Sequence, residues 1–490
     1  MDHFSRREFV HRSALLSAAA TALGVGTTQA EDKSSAVVKR AASDRLRVAV
    51  VGVRSRGMSH VGGYLGKNNC DIVAVCDADA GVIGKAMESI KTKQGEAPQF
   101  VQDFRKLIED KTIDIVSIAT PNHWHALMAV WAMRAGKHVY VEKPATHNVH
   151  EGRLMAQAAR KYKRICQVGT QSRSNPGMRA AIQHIHDGNI GKVSLAYGTC
   201  YKSRGSIGKV AAPTEPPKTL DYDLWCGPAP KLPIKRKSLH YDWHWTWAYG
   251  NGDFGNQGVH EADKARWGLN VGLPTSVVSF GGRFGYDDDG ETPNSELCLY
   301  EYPDANILFE VRGLPTKPYM GAGVGNIWFG DKGYVVCPNY GGGIAYDNDG
   351  KDVKKFSGGG DQHHFDNFVK AVRSGKPTDL NCEVEEGHYS AALCHLGNIS
   401  YRLGKPVAVG DDIKAFAGVK QANEAFERLK THLKDNKVDI ATVKGLVGPK
   451  LTLDPKTEKF TAASDGVDLA KANDMLFREY RKGFDITEAV

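Results

Sequence analysis

Apolar residues recur along the chain with two periods, and the switches between them outline a fold. Leu46–Val51 is a short Val-rich apolar run, which predicts a buried parallel strand. It runs through Gly52-Val53-Arg54-Ser55-Arg56-Gly57 into a helical stretch, Met58 to Gly66, then into a second strand, Cys70 to Cys76, that ends in Asp77. The alternation continues with a strand at Ile113–Ala119, a helix from Trp124 to Ala135 stopped by Gly136, a strand at His138–Val141 and a last strand at Val168. Strands alternating with helices in this way predict a doubly wound parallel sheet over 45–170. A helix at Met178–His186 and a strand at Lys192–Tyr201 follow. Short β-rich segments at Thr275–Gly282, Ser295–Tyr302, Ala305–Arg312 and Asn326–Gly330 come next, with turn signals between them. These predict a second α/β domain over 171–410, built on a large, open, mostly antiparallel sheet. Gln362 to Lys376 reads as an amphipathic helix closing at Gly375, and 411–490 as a charged, mainly helical extension packed on the core.

The first strand–turn–helix unit carries chemistry. Gly52 permits a tight turn after the strand, and Gly57 lets the helix pack closely on the sheet. The helix N-terminus then presents free N–H groups and a positive dipole to a pyrophosphate. Asp77, 20 positions after Gly57, can accept hydrogen bonds from ribose hydroxyls and repels a 2′-phosphate, which points to NAD. The middle glycine of the usual fingerprint is Arg54. Arg54 or Arg56 can instead hold a 2′-phosphate, so NADP stays open beside NAD. Ligands of doubly wound sheets bind outside the carboxyl ends of the strands. Gly52, Asp77, Thr120-Pro121-Asn122 and Glu142-Lys143-Pro144 all lie at such ends, so four loops converge on one crevice.

Ala119-Thr120-Pro121-Asn122-His123-Trp124-His125, followed by Gly136-Lys137-His138-Val139-Tyr140-Val141-Glu142-Lys143-Pro144, resembles the Gfo/Idh/MocA oxidoreductases over Leu46 to Val409. The resemblance implies that Lys143 lies beside the nicotinamide and the reacting hydroxyl, with His125 and Glu142 in the cofactor-binding loops. It also implies a sugar or polyol substrate and a homo-oligomer in which one face of the second sheet meets another subunit. Gln171 and Arg173, in the loop leaving the last Rossmann strand, become candidate substrate contacts. Asp221-Tyr222-Asp223-Leu224-Trp225-Cys226-Gly227-Pro228 resembles a segment of secreted bacterial members that packs under the site.

Two further segments point to the substrate. In His240-Tyr241-Asp242-Trp243-His244-Trp245-Thr246-Trp247, three tryptophans at every second position predict one face of a strand. Such a face, Trp245 at its centre, suits sugar rings, and equally suits a core or interface stripe. In Gly250-Asn251-Gly252-Asp253-Phe254-Gly255-Asn256-Gln257-Gly258-Val259-His260-Glu261-Ala262-Asp263, the spacing i, i+4, i+7 predicts Asn256, His260 and Asp263 on one helix face. His260 is suited to take a hydroxyl proton near neutral pH, with Asp263 orienting it. This segment resembles the family's D-x-G-x-H motif. His260 takes the histidine place, and Asn256 stands where the family has an acid. Asn256 cannot act as a base, which leaves it to orient the hydroxyl while His260 works with Lys143 or nearby Asp253.

Composition narrows the class. A net charge of +8 spread along 490 residues, with no basic block, argues against nucleic acid. Ser5-Arg6-Arg7-Glu8-Phe9-Val10, the apolar stretch Ala14 to Val25 and Thr28-Gln29-Ala30 read as a twin-arginine export signal over 1–30, and 31–44 as a linker. The apolar stretch is too short for a stable membrane anchor, so the expected location is the periplasm or beyond. The nine cysteines form no C-x-x-C pair and no zinc-ligand set, which predicts no metal and buried free thiols. Export of a folded chain implies nucleotide bound before export. It leaves three functions open: an NAD(P)-dependent oxidoreductase acting on a carbohydrate hydroxyl, a redox-neutral NAD-dependent glycosidase, and a non-catalytic periplasmic sugar-binding protein. No Tyr-Pro-Thr-His segment like that of the α-N-acetylgalactosaminidase branch is present, which ranks the glycosidase lower.

Overall fold

The computed structural model describes residues 45–487. The twin-arginine segment and the linker lie outside them. The first sheet comprises β1 (Leu46–Val51), β2 (Cys70–Cys76), β3 (Gln99–Val101), β4 (Ile115–Ile118), β5 (His138–Glu142) and β6 (Cys166–Gly169), parallel and in the order β3-β2-β1-β4-β5-β6. Successive β1 residues feed opposite faces. Val48 and Val50 meet the helices Arg56–Tyr64, Gly84–Gln94 and Gln362–Ser374, while Ala49 and Val51 meet Asn122–Arg134 and Val149–Lys161. This two-sided burial is why the strands read as continuous apolar runs.

The second sheet has twelve strands. Its main path uses β7 (Val193–Tyr201), β8 (Ser276–Gly282), β9 (Ser295–Glu301), β10 (Asn306–Arg312), β11 (Val324–Gly330), β12 (Tyr334–Cys337), β13 (Gly342–Tyr346), β14 (Asp352–Ser357), β15 (Lys405–Ala408) and β16 (Lys444–Val447). The order is β14-β13-β12-β11-β7-β10-β9-β8-β16-β15, and β17 (Leu451–Asp454) and β18 (Lys459–Ala463) join through β8. Only β7 and β10 pair parallel along it. One face carries Cys298, Tyr300, Ile307 and Phe309 towards the helices Val259–Leu269 and Val384–Arg402. The other carries Val278, Phe280, Leu297, Leu299 and Leu308.

That second face packs against Phe426, Leu429 and Leu433 of the chain's own helix Lys420–Asp435. The 411–490 extension corrects one expectation: it is not mainly helical. It supplies β16, β17 and β18 to the sheet, and Tyr480, Phe484 and Ile486 near its end pack on the Rossmann core. These strands are four or five residues long, with Leu451, Leu453 and Phe460 alternating against polar positions, too brief to stand out in a charged sequence. All nine cysteines are buried free thiols. Among the described residues no helix is long and apolar enough to cross a membrane, and no group of three or more His, Cys, Asp or Glu is placed to hold a metal.

Candidate active site

The strand ends of the Rossmann sheet open on one cleft. Val51, Gly52, Arg54, Arg56, Asp77, Thr120, Pro121, Asn122, His125, Glu142 and Lys143 line it, together with Trp225, His240, Tyr241, Trp243, His244 and Asn256 from the second half of the chain. Gly52 sits at φ +78°, and a Cβ there would lie 2.8 Å from the Ala119 carbonyl oxygen. A Cβ on Gly57 would lie 1.7 Å from the Gly52 oxygen, so both positions need glycine for the turn to close on the helix. That helix starts without a side-chain cap and without an acid in its first turn, leaving its N–H groups to a ligand. Asp77 accepts from the Val53 and Asp79 backbone N–H groups at 3.0 and 3.1 Å, which fixes its carboxylate at the end of β2. His125 places its ring nitrogens 2.7 and 2.6 Å from the Thr120 and Pro144 carbonyl oxygens and ties two of the loops together.

The two arginines of the turn differ. Arg54 is exposed and lines the cleft. Arg56 is already engaged, its Nε 2.7 Å from Glu142 Oε1 and its Nη1 2.7 Å from Asp361 Oδ2. The expectation that either arginine can meet a 2′-phosphate therefore narrows to Arg54.

Glu142 anchors the Lys143 end of the cleft. Its Oε1 receives Arg56 and Gln171 (3.0 Å) and lies 3.2 Å from His60 Nε2, while Oε2 accepts the Lys143 backbone N–H at 3.2 Å. Burial pushes this carboxyl up, but Arg56 and His60 outweigh it and hold it well below the ordinary range. The carboxylate in turn steadies the ammonium of Lys143. Burial draws the Lys143 pKa down, Glu142 opposes this, and the side chain donates to the Asn256 carbonyl.

The predicted helix face does not form. Asn256 ends one short helix, Gly252–Asn256, and His260 lies in the first turn of the next, Val259–Leu269. The chain breaks between them where Gly258 passes under Phe309, whose ring would lie 2.1 Å from a Cβ. Asp263 does not orient His260. Its two oxygens take Arg173 Nε at 2.9 and 3.0 Å, and Oδ1 also takes Ser390 Oγ at 2.6 Å. Arg173 and Asp263 are both buried and do not line the cleft. With Gln171 bound to Tyr140 and Glu142, all three are framework. His260 is half-buried, with its ring edge on Tyr340 at 5.1 Å and a buried Nδ1 without a partner among the described residues. Burial, then Lys143, hold it neutral.

His240–Trp247 is not a strand. Asp242–Trp245 forms a 3₁₀ turn, held where Asp242 accepts the Ser238 N–H at 3.0 Å, a local bond that competes with any sheet ladder. Trp245 is 2% exposed, under the Arg283 guanidinium at 4.8 Å, and leaves the cleft to Trp243 and His244. His244 is the residue that sequence reasoning missed. Its Nδ1 donates to the Tyr241 carbonyl at 2.5 Å, which leaves Nε2 as a bare acceptor, buried and without a partner among the described residues. Burial lowers its pKa to about 4, so that nitrogen is free at neutral pH.

Beneath Tyr340 lies a second surprise. Glu261 and Lys264 are fully buried, 3.5 Å apart, and neither carboxylate oxygen nor the ammonium has a hydrogen bond among the described residues. Burial raises Glu261 to about 7, against the pull of Lys264.

Comparison with known proteins places this geometry. Residues 46–170 match the NAD-binding Rossmann domain of the oxidoreductase family Gfo/Idh/MocA, and residues 190–278 match that family's C-terminal α/β domain. The chain belongs to the Gfo/Idh/MocA family. Its Rossmann domain is an NAD-binding one, and the uncapped helix, the glycine turn and the fixed Asp77 carboxylate fit that dinucleotide. A glycosyl hydrolase family 109 protein of Saccharopolyspora erythraea is 33% identical over 208 residues, 40% of this chain and 45% of the relative. An alpha-N-acetylgalactosaminidase of Shewanella oneidensis is 33% identical over 127 residues, 25% of this chain and 28% of the relative. The matched region thus spans less than half the length of these curated relatives. Among solved structures, the WlbA dehydrogenase from Bordetella pertussis, in complex with NADH and UDP-GlcNAcA, superposes with a TM-score of 0.55 at 20% identity, covering 73% of this chain and 97% of that one. A levoglucosan dehydrogenase in complex with NADH and levoglucosan gives 0.56 at 19% identity, covering 72% of this chain and 96% of that one. At those identities the likeness is one of fold.

Proposed function

We propose that this Gfo/Idh/MocA protein is an NAD-dependent oxidoreductase acting on a hydroxyl of a sugar or polyol. One observation carries the reading: a single cleft joins the dinucleotide residues to Lys143, Asn256 and His244. Bound NAD supplies the hydride acceptor that no side chain provides. Gly52, the helix N-terminus after it, Asp77 and the Thr120–Asn122 loop hold it. Lys143 donates to the substrate oxygen and stabilises the negative charge that develops there. His244, a residue of the cleft lining, takes the hydroxyl proton on Nε2, and Asn256 orients the hydroxyl. His260, beside the cleft under Tyr340, holds a second neutral imidazole near Lys143. Trp243 and Tyr241 offer aromatic surface to a sugar ring.

The curated relatives support a second reading, a redox-neutral glycosidase that uses the same cleft and releases an aglycone without net change in the nucleotide. A twin-arginine signal over 1–30 fits either reading with resident nucleotide and a periplasmic location. The test is to add sugars, polyols and glycosides to the purified chain and follow both the near-ultraviolet band of reduced nicotinamide and aglycone release. A growing band supports the oxidoreductase; aglycone release without a band supports the glycosidase. Neither signal, with nucleotide present and a sugar bound, would make the protein a binding protein and overturn both readings.

A further inference from the structure

On the face of the large sheet opposite helix Val259–Leu269, a second cavity of about 620 Å³ lies where β7 and β10 end beneath helix Lys420–Asp435. Three residues that line it each carry a buried nitrogen donor without an acceptor among the described residues. Arg312 is 6% exposed. Its Nε is 2.5 Å from Glu310 Oε1 and its Nη1 reaches Thr316 at 3.5 Å, while Nη2 is buried and unpartnered. Arg428 gives Nη2 to the Tyr197 hydroxyl at 3.2 Å and leaves Nε without an acceptor. His432 is 4% exposed, and its Nδ1 faces the Asn436 side-chain nitrogen at 3.3 Å. That amide is oriented by donating to the Pro315 and His432 carbonyls at 3.0 and 2.8 Å. With both amide hydrogens given to those carbonyls, a proton on Nδ1 would face a donor nitrogen, so the ring proton sits on Nε2, which is buried and has no acceptor among the described residues.

The nearby acids do not meet these donors. Glu310 already accepts from Arg312, Tyr201 and Tyr197, the last at 2.8 Å. Asp435 is exposed, and Lys317 lines the same cavity. Each guanidinium is laid on a tyrosine, Arg312 over Tyr201 at 4.6 Å and Arg428 over Tyr319 at 4.2 Å, which fixes the planes of both forks. Buried donors normally find acceptors, and a fixed pair of guanidinium edges with an imidazole N–H matches an oxyanion.

We propose that this cavity binds the oxyanion of a small molecule, a phosphate or a carboxylate, through Arg312, Arg428 and His432. The site lies on the face of the sheet away from the hydride chemistry and does not depend on it. It is tested by calorimetric titration of the full chain, saturated with NAD so that the cleft's own phosphate position is filled. The probes are inorganic phosphate, sulfate and glucuronate, at ionic strength held constant with chloride. Saturable binding is expected. Preference for phosphate and sulfate identifies a phosphorylated ligand, and preference for glucuronate an acidic sugar. Arg428→Gln and His432→Phe should each weaken binding ~10-fold or more, while His432→Gln, which keeps a donor near the place of Nε2, should retain it. NAD affinity and the melting temperature in chloride should match the parent in all three. No heat with any probe, or equal binding in the parent, Arg428→Gln and His432→Phe, would overturn the site and leave the cavity to ordered water.

Discussion

Glu142 and Glu261 both act on Lys143, and they share burial but not chemistry. Glu142 is 3% exposed and Glu261 fully buried. Glu142 receives Arg56, Gln171 and the Lys143 backbone N–H and lies beside His60, whereas Glu261 has only the Lys264 ammonium at 3.5 Å. The first carboxyl is held well below its ordinary range and the second is raised to about 7. Burial alone raises both. Directed donors decide which one stays ionised. One end of Lys143's surroundings is thus a fixed charge, and the other is a charge that can be surrendered.

The largest expected effect lies between the two glutamates. Lys143→Ala should lower kcat by ~10³-fold or more with nucleotide still bound, measured by turnover and by nucleotide released on denaturation. Undiminished turnover would remove Lys143 from the chemistry. Glu142→Gln strips Arg56 of its main partner. It should cost about 2–3 kcal/mol in denaturant melts, below the full penalty for an orphaned buried charge because Arg56 keeps Asp361. His244→Phe removes the bare acceptor and should slow turnover by ~10²-fold, leaving nucleotide affinity unchanged. If His260→Phe is damaging and His244→Phe is silent, the proton passes to His260 instead.

The smallest effect concerns the unsatisfied pair. Replacing both partners, Glu261→Leu with Lys264→Met, should be neutral or stabilise by about 1 kcal/mol, because no hydrogen bond is lost and the desolvation cost disappears. The pH dependence has a defined sign. The folded Glu261 keeps a proton that the unfolded chain gives up at the ordinary value of 4.5, so this group's contribution falls as pH rises from there to about 7. The double variant should lose that slope in melts taken across the window. A destabilisation as large as that of Glu142→Gln would show that the pair holds the fold together, and the contrast would fail.

Legibility in the sequence followed the range of the interactions. The Rossmann strands, the Gly52–Gly57 turn, Asp77 and the loop carrying Lys143 were legible because each is set within one strand–turn–helix unit, where apolar period and glycine positions act locally. The second domain was legible as alternating β segments, but not its edges, since β16 and β17 are stabilised by pairing with β8, far away in sequence, and β18 rests on β17. Spacing placed Asn256, His260 and Asp263 on one face, yet Gly258 breaks the helix to clear Phe309, a contact no local pattern carries. Likewise, alternating tryptophans read as a strand until Asp242 and His244 bond their own backbone.

The sequence by itself determined the fold class, the dinucleotide turn and the lysine at the end of β5, because hydrophobic period, glycine conformation and helix dipoles are properties of short stretches. Only the tertiary structure decided which side chains are spent and which are free. Arg56, Arg173, Gln171 and Asp263 are consumed by long-range partners, while His244 is left with a bare nitrogen. The physical reason is that a buried polar group's chemistry is fixed by the partners folding brings to it, and those partners lie tens or hundreds of residues away.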